Sequence, residues 1–217
     1  MFDPALARRL MIDNQLRPNR ILDARVIDAM ATVPREAFVP ERMQTLAYID
    51  EDVQVAPGRY LVEPRVFGRL VQELDIRESD RVLDVGCATG YSTAVLARLA
   101  REVVALESDA ALAARTGQLL SRHGLTNFTT RVGSLAAGAP DLAPYQAILL
   151  AGSIEEVPAK LREQLAIGGR LGAVIMSGGV GKATIITRHQ AGFGARQIMD
   201  AATPTLPGFA REKGFVF

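Results

Sequence analysis

The sequence predicts an α/β fold of Rossmann-like type, a mostly parallel sheet preceded by an N-terminal helical cap. Three observations predict it. From Asp80 onward, short apolar runs alternate with helical segments, a pattern that closes most naturally as a right-handed parallel arrangement. The run Arg81-Val82-Leu83-Asp84-Val85 passes directly into Gly86-Cys87-Ala88-Thr89-Gly90 and then into a helix over Thr93–Leu99. Val82, Leu83 and Val85 give the apolar content of a buried central strand. Gly86 and Gly90 free the backbone for a sharp turn and for close approach of a ligand. One strand later Glu107 ends the run Glu102–Leu106, about 20 residues past the turn, where nucleotide folds place the acid that accepts ribose hydroxyls.

The elements follow in order. Residues 1–47 read as helical: Leu6, Leu10, Met11 and Leu16 recur at helical spacing, then Val26, Ile27, Met30 and Val33, with Asp23 as N-cap. Residues 48–63 read as irregular, with a turn at Pro57-Gly58. Pro64 opens a helix carrying Val66, Phe67, Leu70, Val71 and Leu74 on one face. Strands are expected near 81–85, 102–106, 128–132, 146–150 and 170–176, followed by Thr184–Thr187 and Phe215–Phe217. This divides the chain into a cap with an acceptor loop, residues 1–75, and an α/β core, residues 76–217. Ligands in open α/β sheets collect at the carboxyl ends of the strands, so the cap is expected near that edge, forming with the 50–63 loop the roof over the acceptor.

Composition narrows the class. A length of 217 residues suits one α/β domain with an elaboration. The 25 basic and 24 acidic residues nearly balance, so no electrostatic footprint for nucleic acid or anionic lipid is expected. The single cysteine, Cys87, excludes an internal disulfide and fits a reducing, cytoplasmic setting. His123 and His189 have no spaced partners, so no metal site is expected. No leader of basic-then-apolar form opens the sequence, and no apolar run reaches membrane-spanning length.

The turn bears on the ligand's identity. Dinucleotide sites favour G-x-G-x-x-G, with a helix end aimed at pyrophosphate. Here Asp84 precedes the turn by two residues, Ala88 takes the middle position, and the third glycine is missing. An aspartate suits an ammonium better than a pyrophosphate. That favours S-adenosylmethionine, which carries an ammonium and a sulfonium and no phosphate, over a nicotinamide dinucleotide.

The stretch Asp84–Gly90 resembles the D/E-x-G-x-G-x-G loop of seven-stranded methyltransferases. Further upstream, Asn14-Gln15-Leu16, the run Val33-Pro34-Arg35-Glu36-Ala37-Phe38-Val39-Pro40, and Ala47-Tyr48-Ile49-Asp50 resemble the protein-L-isoaspartate O-methyltransferase family. The resemblance extends from about residue 10 to 176 and includes Gly168-Gly169-Arg170-Leu171. It implies a doubly wound, seven-stranded sheet, S-adenosylmethionine as donor, and methyl transfer to the free carboxylate of isoaspartyl residues in damaged protein. The expected cofactor-binding residues are Asp84, Gly86, Cys87, Ala88, Gly90, Glu107, Ser134 and Leu135.

The acceptor side departs from the family. Its G-Q-T-I-S-Q-P segment corresponds to Gly58-Arg59-Tyr60-Leu61-Val62-Glu63-Pro64, so Val62 stands at the serine of the methyl-acceptor site and Tyr60 at the threonine. Val62 donates no hydrogen bond to a carboxylate; Arg59 and Tyr60 are the candidates to replace it, an arginine fork matching a carboxylate well. Ser134 replaces the aspartate expected to face the adenine amino group, and Leu150-Ala151-Gly152-Ser153 replaces a threonine-containing run. Three functions stay open: a methyltransferase on isoaspartyl protein or another acidic acceptor, with weak or no activity on ordinary isoaspartyl peptides; a non-catalytic S-adenosylmethionine-binding protein; and, least favoured, a nicotinamide-dependent oxidoreductase. Fold alone does not choose among them.

Overall fold

The computed structural model describes residues 2–209. A short antiparallel hairpin, β1 (Val53–Ala56) and β2 (Arg59–Leu61), precedes the main sheet. The sheet's strands are β3 (Arg81–Val85), β4 (Glu102–Glu107), β5 (Phe128–Val132), β6 (Tyr145–Ile154), β7 (Leu165–Ser177), β8 (Val180–His189) and β9 (Gly192–Asp200), in the spatial order β5-β4-β3-β6-β7-β8-β9. The pairs β3–β4, β4–β5, β3–β6 and β6–β7 are parallel; β8 is antiparallel to both β7 and β9. The chain winds outward from β3 to β5, then returns to lay β6 on the other side of β3. That reversal opens a crevice beyond the tips of β3, β4 and β6, the topological switch point of a doubly wound sheet.

The side-chain alternation of a strand sorts the core into two faces. Val82, Ala147 and Leu149 point to the face covered by α3 (Pro64–Leu74), α4 (Tyr91–Ala97) and the N-terminal helices. Leu83, Val85, Ile148 and Leu150 point to the other, where Leu161 of the short α6 (Ala159–Arg162), Leu135 and Leu206 cover them. Helix α5 (Ala110–Arg122) bridges β4 and β5, with the buried Leu120 in the first core. Residues of the predicted cap and of the sheet share that core.

The N-terminal reading holds in its helices and fails in part of its placement. Helix α1 (Pro4–Met11) runs on into a π-helical turn, Ile12–Leu16. Helix α2 (Ala24–Thr32) begins with Asp23 accepting from the Arg25 amide at 2.8 Å, as the N-cap pattern predicted. The cap was expected near the strand C-termini. The start of α2 instead sits at the far end of α3, where Gln72 Oε1 accepts from the amides of Leu22 and Asp23 and Arg25 Nη1 donates to the Ile76 carbonyl. The physical reason is the amphipathic α3, whose whole length needs cover along the sheet face. Residues 35–62 reach the ligand edge.

Other elements differ from the sequence reading or add to it. Residues 48–63 are not irregular throughout, since they contain the β1–β2 hairpin around the Pro57-Gly58 turn. The strand beyond β8 is Gly192–Asp200; the predicted run Phe215–Phe217 lies outside the described residues. Helix α4 starts two residues earlier than Thr93, at Tyr91.

Candidate active site

The glycine turn is built from both neighbouring strands. Gly86 has φ +77° and donates its N–H to the Leu106 carbonyl at 2.9 Å, which fixes the turn to the tip of β4. Ala88 holds a left-handed φ of +51°, strained for a residue with a Cβ. Its carbonyl accepts from Thr116 Oγ1 on α5 at 2.7 Å. Gly90, at φ +96°, precedes α4; a Cβ there would stand 2.8 Å from Thr116 Cγ2. Its lack of a side chain therefore lets α5 pack against the turn.

Asp84 is turned toward α4. It is fully buried beneath the first turn of α4, where its Oδ2 accepts from Ser92 Oγ at 2.7 Å and Thr93 Oγ1 at 2.6 Å, while Oδ1 has no partner among the described residues. Burial pushes its pKa up to about 6, against the pull of those two hydroxyls. As the fourth residue of β3 it points, with Val82, into the helix-covered face and pins α4 to the strand, whereas the sequence placed it beside an ammonium. Burial, first, and the carboxylates of Asp84 and Glu107, next, hold the Cys87 thiol well above its usual pKa, so it is no thiolate nucleophile.

Glu107 ends β4 at the switch point and is fully buried. Its Oε1 accepts from the amides of Ser108 and Asp109 at 2.7 and 3.1 Å, and its Oε2 from the amide of Ala88 at 3.1 Å. Arg59 from β2 completes the set: Nε lies 3.0 Å from both oxygens and Nη2 2.7 Å from Oε1, with Nη2 also donating to Ser108 Oγ at 2.7 Å. The sequence placed Arg59 against an acceptor carboxylate. The structure places it on the chain's own Glu107, because the hairpin lays β2 directly beside the tip of β4.

Tyr60 and Val62 do meet the glycine turn. They line, with Gly86, Cys87, Ala88 and Ala151, one small cavity of about 20 Å³. Ser134 is exposed and lies apart from it; Leu135 is buried beside Gly86. Two residues escaped sequence reasoning as site components. Arg35, fully buried, donates from Nε to the Ala47 carbonyl at 2.6 Å and from Nη2 to the Val62 carbonyl at 2.8 Å, and stands 4.8 Å from the centroid of the Tyr91 ring. Its place in V-P-R-E-A-F-V-P was visible; its partners were not. Leu206 packs over the glycine turn from beyond β9, and no sequence signal marked it.

A parallel sheet with a glycine turn at its first central strand, an acid at the tip of the next, and a hairpin over the switch point defines the seven-stranded methyltransferase class. The comparisons make this specific. The family model described as protein-L-isoaspartate(D-aspartate) O-methyltransferase matches residues 7–200. A protein-L-isoaspartate O-methyltransferase of Roseiflexus sp. (strain RS-1) is 45% identical over 177 residues, which is 82% of this chain and 80% of the relative. Two solved structures share the fold at a TM-score of 0.79. One is a protein-L-isoaspartate O-methyltransferase, 22% identical, covering 93% of this chain and 66% of that one. The other, from Plasmodium falciparum in complex with S-adenosyl-L-homocysteine, is 20% identical, covering 95% and 99%. The chain belongs to the protein-L-isoaspartate(D-aspartate) O-methyltransferase family.

That family uses S-adenosylmethionine. The polar framework here fits an adenosyl cofactor: a carboxylate at the second strand tip, and a turn whose Gly86 admits close approach. The space does not fit in the arrangement described, because Arg59 occupies the carboxylate and Leu206 the surface of Gly86.

Proposed function

We propose that this chain is an S-adenosylmethionine-dependent carboxyl O-methyltransferase whose acceptor is an isoaspartyl carboxylate in protein or peptide, turned over weakly because Val62 stands where the family has serine. The observation that carries the reading is the shared cavity of Tyr60, Val62 and Ala151 with the glycine turn. It supports an acceptor held by the hairpin against a donor held by Gly86–Gly90, with Glu107 on the ribose hydroxyls and Leu135, beside Ser134, on the adenine edge.

The donor supplies an electrophilic methyl group; the rest of the chemistry is positioning. A carboxylate is already ionised at neutral pH, its ordinary pKa being near 4, so no general base is needed. The chain's task is to orient the acceptor oxygen and exclude water. Arg35 serves it by holding the Val62 carbonyl, and Phe38, Phe67 and Tyr91 by walling the site with packed rings.

Labelled methyl transfer to an isoaspartyl peptide tests the reading. An acceptor anion lacking one hydrogen bond loses about 1–3 kcal/mol, so Val62→Ser should raise kcat/KM by roughly tenfold to a hundredfold. A typical enzymatic rate in the unmodified protein, unchanged by Val62→Ser, would show that the valine is immaterial. Methylation of another small acidic acceptor in preference to the peptide would favour the second reading, which rests on the loss of the acceptor hydroxyl. The earlier expectation that Arg59 serves the acceptor is withdrawn, since its guanidinium is committed to Glu107.

A further inference from the structure

The crevice at the switch point is filled by the chain itself. Beyond β9 the backbone turns back over the tips of β3 and β6. Thr203 Oγ1 donates to Asp52 Oδ1 at 3.1 Å, Ser153 N donates to the Pro204 carbonyl at 3.0 Å, and Leu206 N donates to the Ser153 carbonyl at 2.8 Å. These bonds seat Leu206, only 4% exposed, on the glycine turn. A Cβ on Gly86 would stand 2.7 Å from Leu206 Cδ2, and one on Gly152 2.8 Å from its Cγ. The room those two glycines leave is thus taken by one leucine. On the opposite wall Arg59 covers Glu107, and Pro207 Cγ comes within 3.7 Å of a Cβ built on Gly58, next to Arg59. Strap and hairpin therefore close over the crevice together. The cavity that Tyr60 and Val62 share with the glycine turn holds about 20 Å³, against the roughly 300 Å³ or more of small-molecule sites.

We propose that residues 203–209 and Arg59 are a built-in occupant of the adenosyl-cofactor crevice, so that strap and cofactor compete. This rests on the reading of the site given above. The Arg59 guanidinium neutralises the carboxylate a ribose diol would bond, and Leu206 fills the apolar space next to Leu135 that an adenine ring would enter. Binding then requires the strap to leave, and apparent affinity falls by the fraction of molecules in which it has left. The strap suits such release: among the described residues four hydrogen bonds anchor it, the fourth between the Ser153 and Thr205 hydroxyls at 3.2 Å, and Leu206 and Phe209 are the only large apolar side chains of residues 203–209.

The test is calorimetric titration of the full-length protein, and of its Arg59→Gln and Leu206→Ser variants, with S-adenosyl-L-homocysteine. Alongside it, amide hydrogen exchange of the unmodified protein is followed with and without saturating ligand. Each variant should bind about tenfold more tightly or better, and ligand should accelerate exchange at the Leu206 and Ser153 amides. Folded variants whose affinity stays within about twofold overturn the competition, since a crevice closed in about nine molecules of ten lowers apparent affinity about tenfold. A Leu206 amide that stays protected at saturation overturns it too, and that result is read on the unmodified protein even if a variant fails to fold. Binding with a protected strap defeats this inference alone. No binding by any of the three proteins defeats the methyltransferase reading with it.

Discussion

Replacing Asp84 by asparagine should make the protein more stable at neutral pH, and the gain should vanish near pH 4. The carboxylate is completely buried, its Oδ1 has no partner among the described residues, and burial pushes its pKa up to about 6 from an ordinary value of 3.8. A raised folded-state pKa means that between about pH 4 and 6 the folded protein binds more protons than the unfolded chain, so stability falls as pH rises through that window. The contribution is whole below the unfolded pKa and lost above the folded one. Two units at 1.36 kcal/mol each give a cost of about 3 kcal/mol at neutral pH. Asparagine keeps an oxygen for Ser92 and Thr93 but brings an amide N–H₂ with no acceptor, which returns about 1 kcal/mol or more. The net gain at pH 7.5 is then about 1–2 kcal/mol, or roughly 2–8 °C in Tm for a chain of this length. Burial also raises the pKa values of Asp52 and Glu63, so the unmodified protein's own pH profile is composite. The difference between the unmodified protein and the Asp84→Asn variant, by urea denaturation from pH 4 to 8, isolates one group. A difference that stays constant across that range would refute the assignment of a neutral-pH cost to this carboxylate.

Other perturbations follow from the same geometry. Arg59→Ala strips the cation from a fully buried Glu107 while leaving the amides of Ala88, Ser108 and Asp109. Breaking a buried pair costs about 3–5 kcal/mol, and those amides place this case near ~3 kcal/mol. Urea denaturation should show that loss, and Arg59→Gln combined with Glu107→Gln should recover most of it; a cost below about 1 kcal/mol would mean the pair is not held as described. Arg35→Met leaves the Ala47 and Val62 carbonyls without their donor, at about 1–3 kcal/mol each if no water replaces it. Its unfolding midpoint should drop accordingly, and an unchanged midpoint would remove Arg35 from its role as the hairpin's anchor.

How much of this could be read in the sequence depends on how local the cause is. The turn from β3 to α4 was legible because Val82, Leu83, Gly86 and Gly90 each act within a few residues of themselves. The hairpin was not, since strands of four and three residues are too short for alternation to register, although Val53 and Val55 are buried and Gln54 is exposed between them. Strand β9 was missed for a different reason: it is an edge strand, largely exposed, and lacks the apolar alternation that marks a half-buried one. Asp84 and Glu107 look alike in sequence, each an acid near a strand tip. Strand parity and termination separate them, Asp84 turning into the helix-covered core and Glu107 ending its strand at the crevice. The partner of Glu107 lies 48 residues away, and Leu206 reaches Gly86 across the whole core domain. Neither contact has a spacing that a sequence displays.

The run Val33–Pro40 was the strongest family mark in the chain, and the structure gives it a physical task. Arg35 within it grips the Val62 carbonyl on the hairpin, while the Phe38 carbonyl accepts from Thr89 Oγ1 inside the glycine turn at 2.5 Å. The Phe38 ring meets Tyr91, the first residue of α4, edge-on at 5.9 Å and stacks on His123 at the end of α5 at 5.4 Å. A 3₁₀ turn, Arg35–Phe38, sets these two side chains only three residues apart, so one arm reaches the hairpin and the other the turn. The motif is thus a splint between the two halves of the site. A splint must match both halves in register, which is why its spacing to the glycine turn carried so much information. It also explains how the acceptor side can change at Val62 without moving: Arg35 holds the Val62 carbonyl, a group that every residue type supplies, while Arg59 ties the hairpin to Glu107.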